Sequence, residues 1–316
     1  MPWIEPRPVT RITRRSFLIA GAATLSMGPA RARQPGTRYP IAFSTLGCPK
    51  WSWRTILDAA VRDGYAAVEL RGLEGNMDLP GLPRFSAAGV PTVLADLDAL
   101  SLRIASVDSS VMLHSPDAGE RAKAMEDGRR FIDLGHRLRA PYMRVFGDKL
   151  VPGEHRSVTI SRVGDGLRSL AAYARGSGVT VLIESHGDFT DSASLRSILE
   201  RSGDGTALLW DAHHTVVSAK EAPADTFRQL GRFVRHTHLK DSRPSGDDVQ
   251  YVLTGSGSVP VRDTVRVLAH GGYRGYYCLE WEKAWHPELE EPEIAFPHYA
   301  RVMRQYLAEA GVKPGM

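Results

Sequence analysis

The sequence predicts a single (β/α)8 barrel, and three observations support this prediction. Short β-branched runs alternate with amphipathic segments of helical period from residue 39 to the end of the chain. Eight such strand–helix units occupy about 280 residues, a length typical of this fold. The chain has 316 residues, 42% hydrophobic and 24% charged, so it can bury one large core. A doubly wound open sheet is the alternative architecture.

The predicted strands are short apolar runs, several of which end in a polar residue. They cover residues 41–45 (IAFST), 66–70 (AAVEL), 103–107 (RIASV), 142–146 (YMRVF), 179–184 (VTVLIE), 207–211 (ALLWD), 233–239 (FVRHTHL) and 276–280 (YYCLE). Helical periodicity is clearest over residues 55–62, 118–138, 158–175, 192–202, 262–270 and 294–310. Glycines at 64, 178 and 272 follow three of these helices and directly precede the next strand, as expected for helix C-caps followed by short loops.

Residues 1–32 have the pattern of a twin-arginine export signal. The segment TRRSFL (13–18) places two arginines before an uncharged run at 17–27, and ARA (30–32) has the small-x-small form of a cleavage site. A run of 11 residues is too short to span a bilayer, and no later run approaches the necessary length. We therefore expect a signal at 1–32, a barrel at 33–316 that does not span a membrane, and a periplasmic or otherwise extracytoplasmic location reached through the twin-arginine export machinery. An uncleaved amphipathic or disordered leader is the alternative.

The charge distribution argues against nucleic acid as a partner. The formal net charge is +4, and residues 1–32 contain five arginines and one glutamate, so the remainder of the chain is neutral. A nucleic-acid binder needs a concentrated basic surface. The excess charge is therefore better explained by the export signal.

Two cysteines, Cys48 and Cys278, exclude a disulfide framework and a cysteine-rich zinc site. An oxidising periplasm would permit one bridge between them. We favour the simpler interpretation that both are small buried hydrophobic residues.

The ends of four consecutive predicted strands carry three carboxylates and one imidazole. Glu184, Asp211, His238 and Glu280 follow one another at intervals of 27, 27 and 42 residues. In a barrel the carboxyl ends of the strands meet at one face, where active sites are built. Acidic groups that directly follow buried strands need a compensating cation. The pattern predicts one divalent metal ion, and oxygen-rich ligands favour Mn(II), Mg(II) or Co(II), with Zn(II) also compatible.

These motifs resemble the xylose isomerase-like TIM barrels, often called sugar phosphate isomerases/epimerases, which include ketose 3-epimerases and inosose dehydratases. The similarity covers residues 39–310 and is strongest in VLIESHG, WDAHH, HTHLKD, TGSGSVP and GGYRGYYCLEWE. The resemblance implies that the four residues above are the metal ligands and that His214 contacts substrate. Thr190 and Pro244 stand where ketose 3-epimerases have an acid and an arginine. This sequence therefore lacks the substrate-binding residues typical of ketose 3-epimerases at these two positions.

The predicted function is a metal-dependent isomerase or epimerase acting on a sugar or keto-sugar. Glu184 and Glu280 would exchange a proton next to a carbonyl through an enediolate, while Asp211 and His238 hold the ion. Loss of a β-substituent would instead give a dehydratase or lyase acting on a keto-sugar or 3-keto-glycoside. A non-catalytic periplasmic sugar-binding protein is the alternative from another class. The neutral barrel argues against DNA repair of the endonuclease IV type.

Two residues near the predicted ligands are candidates for direct contact with substrate. Lys240 follows His238 by two positions and would stabilise an enediolate oxygen, unless it forms a surface pair with Asp241. His186 follows Glu184 by two positions, at the mouth of the same strand. We expect it to contact substrate or a metal ligand.

Three further residues are predicted to bind substrate, each with a structural alternative. Glu69 would bind substrate or orient a ligand histidine, or else pair with Arg71. Trp53 would form an apolar wall for a sugar, or else pack in the core. Arg144 would meet an anionic group, or else neutralise the acids around the metal. The sequence leaves homo-oligomerisation open.

Overall fold

The computed structural model describes residues 38–246 and 248–315. The strands are β1 (Ile41–Ser44), β2 (Ala67–Leu70), β3 (Arg103–Met112), β4 (Tyr142–Phe146), β5 (Thr180–Glu184), β6 (Thr206–Asp211), β7 (Val234–Leu239), β8 (Asp241–Ser245), β9 (Asp248–Val252) and β10 (Tyr277–Leu279). The helices are α1 (Trp53–Asp63), α2 (Val90–Ala99), α3 (Ala118–Arg137), α4 (Arg156–Ala174), α5 (Ser192–Ser202), α6 (Ala212–Val217), α7 (Pro223–Leu230), α8 (Val261–His270) and α9 (Pro292–Glu309). The predicted export signal lies outside the described residues.

Eight parallel strands close into a barrel, which confirms the predicted fold class. The strand order is β1-β10-β7-β6-β5-β4-β3-β2, and β1 pairs with both β10 and β2. Helices between successive barrel strands cover the outside, as right-handed crossovers require. Within the described residues, the helices include none that is long and apolar enough to cross a membrane.

Aromatic packing joins the last helix to the first strand. The rings of Phe43 on β1 and Phe296 on α9 stack with centroids 4.2 Å apart. The Tyr65 hydroxyl donates a hydrogen bond of 2.7 Å to the carbonyl oxygen of Phe296, and Tyr65 is fully buried. These contacts pack the last helix, α9, against the first strand, β1, where the barrel closes.

The structure contains elements that the sequence patterns did not predict. Helices α2, α6 and α7 are 10, 6 and 8 residues long, and β3 continues five residues beyond its predicted end at 107. Strands β8 and β9 form an antiparallel hairpin between β7 and α8. Sequence patterns do not predict the hairpin because its strands lie outside the barrel and are largely exposed, so they carry no buried apolar run.

A buried carboxylate at the start of this hairpin fixes the glycine-containing turn before α8. Asp241 is 1% exposed. Its carboxylate accepts hydrogen bonds from the backbone N–H groups of Gly255 (2.8 Å), Gly257 (2.9 Å) and Val259 (3.1 Å). Gly255 has a φ of 86°, a conformation that favours glycine. The segment at 255–257 is thus a turn held by Asp241.

Replacing Asp241 should therefore destabilise the fold. We expect Asp241→Ala to lower the free energy of unfolding by about 3 kcal/mol, because several buried N–H groups lose a charged acceptor together. The control Asp248→Ala removes an exposed carboxylate from the same hairpin and should change stability by less than about 0.5 kcal/mol. Urea denaturation measures both values, and equal midpoints for the two variants would contradict this role of Asp241.

Candidate metal centre

The four predicted ligands meet at the carboxyl-terminal end of the barrel. Glu184 and Asp211 are the last residues of β5 and β6, His238 lies one residue before the end of β7, and Glu280 directly follows β10. An apolar residue directly precedes each of the three carboxylates, and His238 follows the buried Thr237, so the polar side chains emerge together at the mouth of the barrel. Each of the four is at most 6% exposed.

The geometry of the four side chains fits one metal ion. One potential ligand atom from each residue lies within 4.8 Å of those of the other three. The Nδ1 atom of His238 is 3.1 Å from Glu184 Oε1 and 3.2 Å from Glu280 Oε1, so this nitrogen faces the centre of the cluster. Three carboxylates and one imidazole are the donors that a hard or borderline divalent ion prefers.

The charges of the cluster also call for a cation. Burial, together with the nearby carboxylates of Glu280 and Glu184, raises the pKa of Asp211 to about 7 despite the opposing charge of Lys240. Glu184 Oε2 and Asp211 Oδ2 are buried, and although each lies within 3.0 Å of a cationic nitrogen, neither accepts a hydrogen bond of suitable geometry from the described part of the chain. Crowded, incompletely paired carboxylates of this kind are stabilised when a divalent ion binds them. The residues present therefore fit a metal.

Two buried cations neutralise the rim of the cluster. Arg144 Nε lies 3.0 Å from Glu184 Oε2 and 3.2 Å from Asp108 Oδ2, and this side chain is 1% exposed. The structure thus favours the alternative for Arg144, neutralisation of the acids, over the predicted contact with substrate. Its guanidinium carbon also lies 3.9 Å from the centroid of the Phe146 ring.

Lys240 lies between three carboxylates. Its ammonium is 2.8 Å from Asp211 Oδ2, 2.5 Å from Glu280 Oε2 and 2.6 Å from Glu282 Oε1. Burial lowers the pKa of Lys240, but these acids outweigh that effect and raise the pKa well above its usual value. Lys240 points into the site, so the alternative of a surface pair with Asp241 is wrong.

Glu69 lies on the other side of the ligand histidine. Its Oε2 accepts hydrogen bonds from the Nε2 atoms of His238 (2.9 Å) and His236 (2.7 Å), and all three side chains are completely buried. The prediction that Glu69 binds substrate is therefore wrong, because the carboxylate has no exposed surface. Its hydrogen bond fixes the ring of His238, which agrees with the second role foreseen, and leaves the Nδ1 atom of this candidate ligand facing the cluster.

Substituting Glu69 should weaken metal binding without removing a ligand. We expect Glu69→Gln to lower the affinity for Mn(II) about tenfold, because the neutral amide holds His238 less firmly and makes it less basic. Competition with a chelator measures the affinity, and Glu309→Gln, on the outer helix α9, is the matched control. An unchanged affinity, with the pH profile of binding also unchanged, would contradict this positioning role.

The remaining predicted residues are divided between the site and the core. His214 Nε2 lies 3.3 Å from Asp211 Oδ2, and the His186 ring lies 5.1 Å from the ring of His214, so both half-buried histidines are at the mouth. Trp53 is 2% exposed and packs in α1, where its indole donates a hydrogen bond of 3.0 Å to Asp96 Oδ2. The prediction for Trp53 as a sugar-stacking wall is corrected to core packing.

The two cysteines are free and buried. Cys48 is 2% exposed and Cys278 is completely buried. Cys278 Sγ lies 3.7 Å from Glu69 Oε2, and Cys48 Sγ lies 3.7 Å from the carbonyl oxygen of Thr45. The favoured interpretation of two small buried residues is confirmed.

The sequence profile of the xylose isomerase-like TIM barrel family matches residues 57–306, which is most of the chain. The chain belongs to the xylose isomerase-like TIM barrel family. All four candidate ligands lie inside the matched region. The resemblance inferred from the strand-end motifs is thereby confirmed.

Among characterised relatives, the chain is similar to inosose dehydratases. It is 27% identical over 172 residues to that of Serratia proteamaculans, which covers 48% of this chain and 55% of the relative. It is 29% identical over 118 residues to that of Clostridium botulinum strain Eklund 17B, which covers 32% of this chain and 37% of the relative. These matches therefore span only about half the length of the relatives or less.

Solved structures of this family share the fold with the chain. An L-ribulose 3-epimerase superposes with a TM-score of 0.69 at 15% identity, over 86% of this chain and 95% of the epimerase. A family member from Mycobacterium smegmatis, solved in complex with magnesium, gives a TM-score of 0.63 at 17% identity, over 86% and 97% of the two chains.

In this chain, two acids beside the candidate metal centre were not predicted from the sequence. Asp108 is completely buried and contacts Arg144, and Glu282 contacts Lys240. Asp108 directly follows the predicted third strand, so extending that strand would have found it. Glu282 lies two residues after Glu280, a spacing that places both on one side of an extended segment.

Proposed function

We propose that this chain is a divalent-metal-dependent isomerase or epimerase that moves a proton next to the carbonyl of a sugar or keto-sugar. The observation that carries the proposal is the cluster of Glu184, Asp211, His238 and Glu280, whose ligand atoms lie within 4.8 Å of one another. Asp211 and His238 hold the ion together with the two glutamates. A non-catalytic sugar-binding protein would not need two carboxylates at such a centre.

In this proposal the two glutamates act on opposite sides of one carbon. A bound divalent ion supplies Lewis-acid polarisation of the carbonyl and so makes the neighbouring C–H more acidic. Glu184 comes from β5 and Glu280 from the end of β10, with β6 and β7 between these strands in the barrel. One carboxylate removes the proton, and the other returns a proton to the opposite face.

Three further side chains are proposed to interact with oxygen atoms of the substrate. The Lys240 ammonium stabilises negative charge that develops on an oxygen next to the reacting carbon. His214 and His186 stand at the half-buried mouth, beside Asp211 and Phe146. Each can donate a hydrogen bond to a sugar hydroxyl or accept one from it.

A second reaction, β-elimination, is favoured by the similarity to inosose dehydratases. In that reaction one glutamate removes the proton next to the carbonyl. The bond to a β-hydroxyl or β-alkoxy group breaks with its electron pair, and the leaving oxygen takes the proton that this glutamate removed. The products are an unsaturated ketone and water or an alcohol.

The proposed ion is Mn(II), Mg(II) or Co(II), with Zn(II) also compatible, because the cluster offers three oxygens and one nitrogen. A family member in complex with magnesium supports this range. We further propose that the export pattern at 1–32 sends the enzyme out of the cytoplasm, so that free or glycosidic sugars are its substrates.

One experiment separates these functions. The protein, loaded with Mn(II) or Co(II), is incubated with keto-sugars and 3-keto-glycosides in heavy water and followed by proton NMR. Deuterium in a new epimer or isomer supports the proposed reaction, whereas an unsaturated product with a released alcohol or water supports elimination. Sugar binding without exchange or product would show a binding protein and overturn the enzyme assignment.

A further inference from the structure

Arg71 is a third buried cation close to the metal centre. It directly follows β2 and is 7% exposed. Its guanidinium donates a hydrogen bond of 2.9 Å to Ser110 Oγ, and its Nη1 atom lies 3.5 Å from Met77 Sδ. Ser110 lies two residues after Asp108 toward the carboxyl end of β3 and is exposed. Because Arg71 contacts Ser110, the guanidinium reaches the open end of the barrel.

Arg71 differs from the other two buried cations because it touches no acid. Arg144 contacts two carboxylates and Lys240 contacts three. No carboxylate oxygen of residues 38–246 or 248–315 forms an ion pair with Arg71. Burial and the like charge of Arg144 lower the pKa of Arg71 to about 10. The acids Asp108, Glu280 and Glu184 oppose this shift only from a distance. A buried guanidinium without a direct ion pair is costly, and an anion that contacted it would offset part of that cost.

The backbone holds this arginine in place. The hydroxyl of Thr45 accepts hydrogen bonds from the N–H groups of Arg71 (3.0 Å) and Gly72 (3.2 Å) and donates one of 2.6 Å to the carbonyl oxygen of Gly72. Thr45 is 1% exposed. These bonds fix the backbone of Arg71, and the hydrogen bond to Ser110 Oγ orients the guanidinium, which lowers the entropic cost of binding a ligand there.

We infer that Arg71 receives a carboxylate on the sugar, so that the substrate is a sugar acid. This inference rests on the proposed function, because it assigns a charged substituent to a substrate held at the same centre. A planar guanidinium matches a carboxylate with two parallel hydrogen bonds. The nearby acids Asp108, Glu184 and Glu280 disfavour a doubly charged phosphate at a single arginine.

Calorimetric titration of the Mn(II)-loaded full chain tests this assignment. The probes are D-glucuronate and D-galacturonate, each compared with its neutral parent sugar, D-glucose or D-galactose, and with glucose 6-phosphate. We expect each uronate to bind the wild-type protein at least about tenfold more tightly than its neutral parent. Arg71→Met should abolish that preference, and Arg71→Lys should keep part of it. Arg262→Met, at an exposed ion pair on α8, is the matched control.

Three results would overturn the inference. The first is that the wild-type protein shows no preference for a uronate, or binds no probe at millimolar concentration. The second is that the preference for a uronate survives in Arg71→Met. The third is that glucose 6-phosphate binds more tightly than D-glucuronate. The metal content of each variant shows whether it has folded around its ion. Failure of the proposed function would appear separately, as absent metal binding or absent proton exchange in the wild-type protein.

Discussion

Glu280→Gln is expected to slow exchange of the substrate proton next to the carbonyl by about 10³-fold. Glutamine cannot accept that proton, although it fills the same space beside Lys240 and His238. The rate is measured by proton NMR in heavy water at saturating Mn(II), so that weaker metal binding by the variant does not contribute. Exchange at the wild-type rate would remove Glu280 from the acid–base pair.

A matched control keeps this result specific. Glu200→Gln changes a glutamate on α5 that pairs with Arg232 on the outside of the barrel, and it should exchange at the wild-type rate. Equal slowing in both variants would indicate a general loss of folded protein. Circular dichroism distinguishes that case from a specific chemical defect.

His238→Gln is expected to lower the affinity for Mn(II) by more than about 100-fold. Removing a partner of a metal ligand costs up to about 100-fold, so removing the ligand itself should cost more. The loss is measured by chelator competition. The control His298→Gln removes a half-buried histidine on α9 that bonds to the carbonyl oxygen of Thr254, and its metal affinity should be unchanged. Wild-type affinity in His238→Gln would exclude the imidazole as a ligand.

Sequence patterns were sufficient for the barrel and for the four candidate ligands. Each carboxylate ligand follows a buried apolar run, His238 lies near the end of another predicted strand, and parallel strands bring such ends to one face of the barrel. Glu184, Asp211, His238 and Glu280 could therefore be placed together without knowing a single side-chain contact. The hairpin β8–β9 could not be predicted from the sequence, because largely exposed strands show no regular alternation of apolar residues.

The roles of residues around the ligands required the structure. Glu69 lies one residue before the end of β2 and Arg144 lies in the middle of β4, and both are buried against other charged groups. Sequence spacing gives the side of a strand but not the partner across the barrel. Arg71 is another example: the sequence predicted it only as a possible partner of Glu69, whereas in the structure its guanidinium contacts Ser110.

The metal content of the full chain tests the central claim most directly. Purified protein is incubated with Mn(II) or Co(II), desalted and analysed by plasma mass spectrometry. Four buried ligand groups within 4.8 Å predict about one equivalent of divalent ion per chain. Less than about a tenth of an equivalent after reconstitution would contradict the metal centre and the reaction proposed for it.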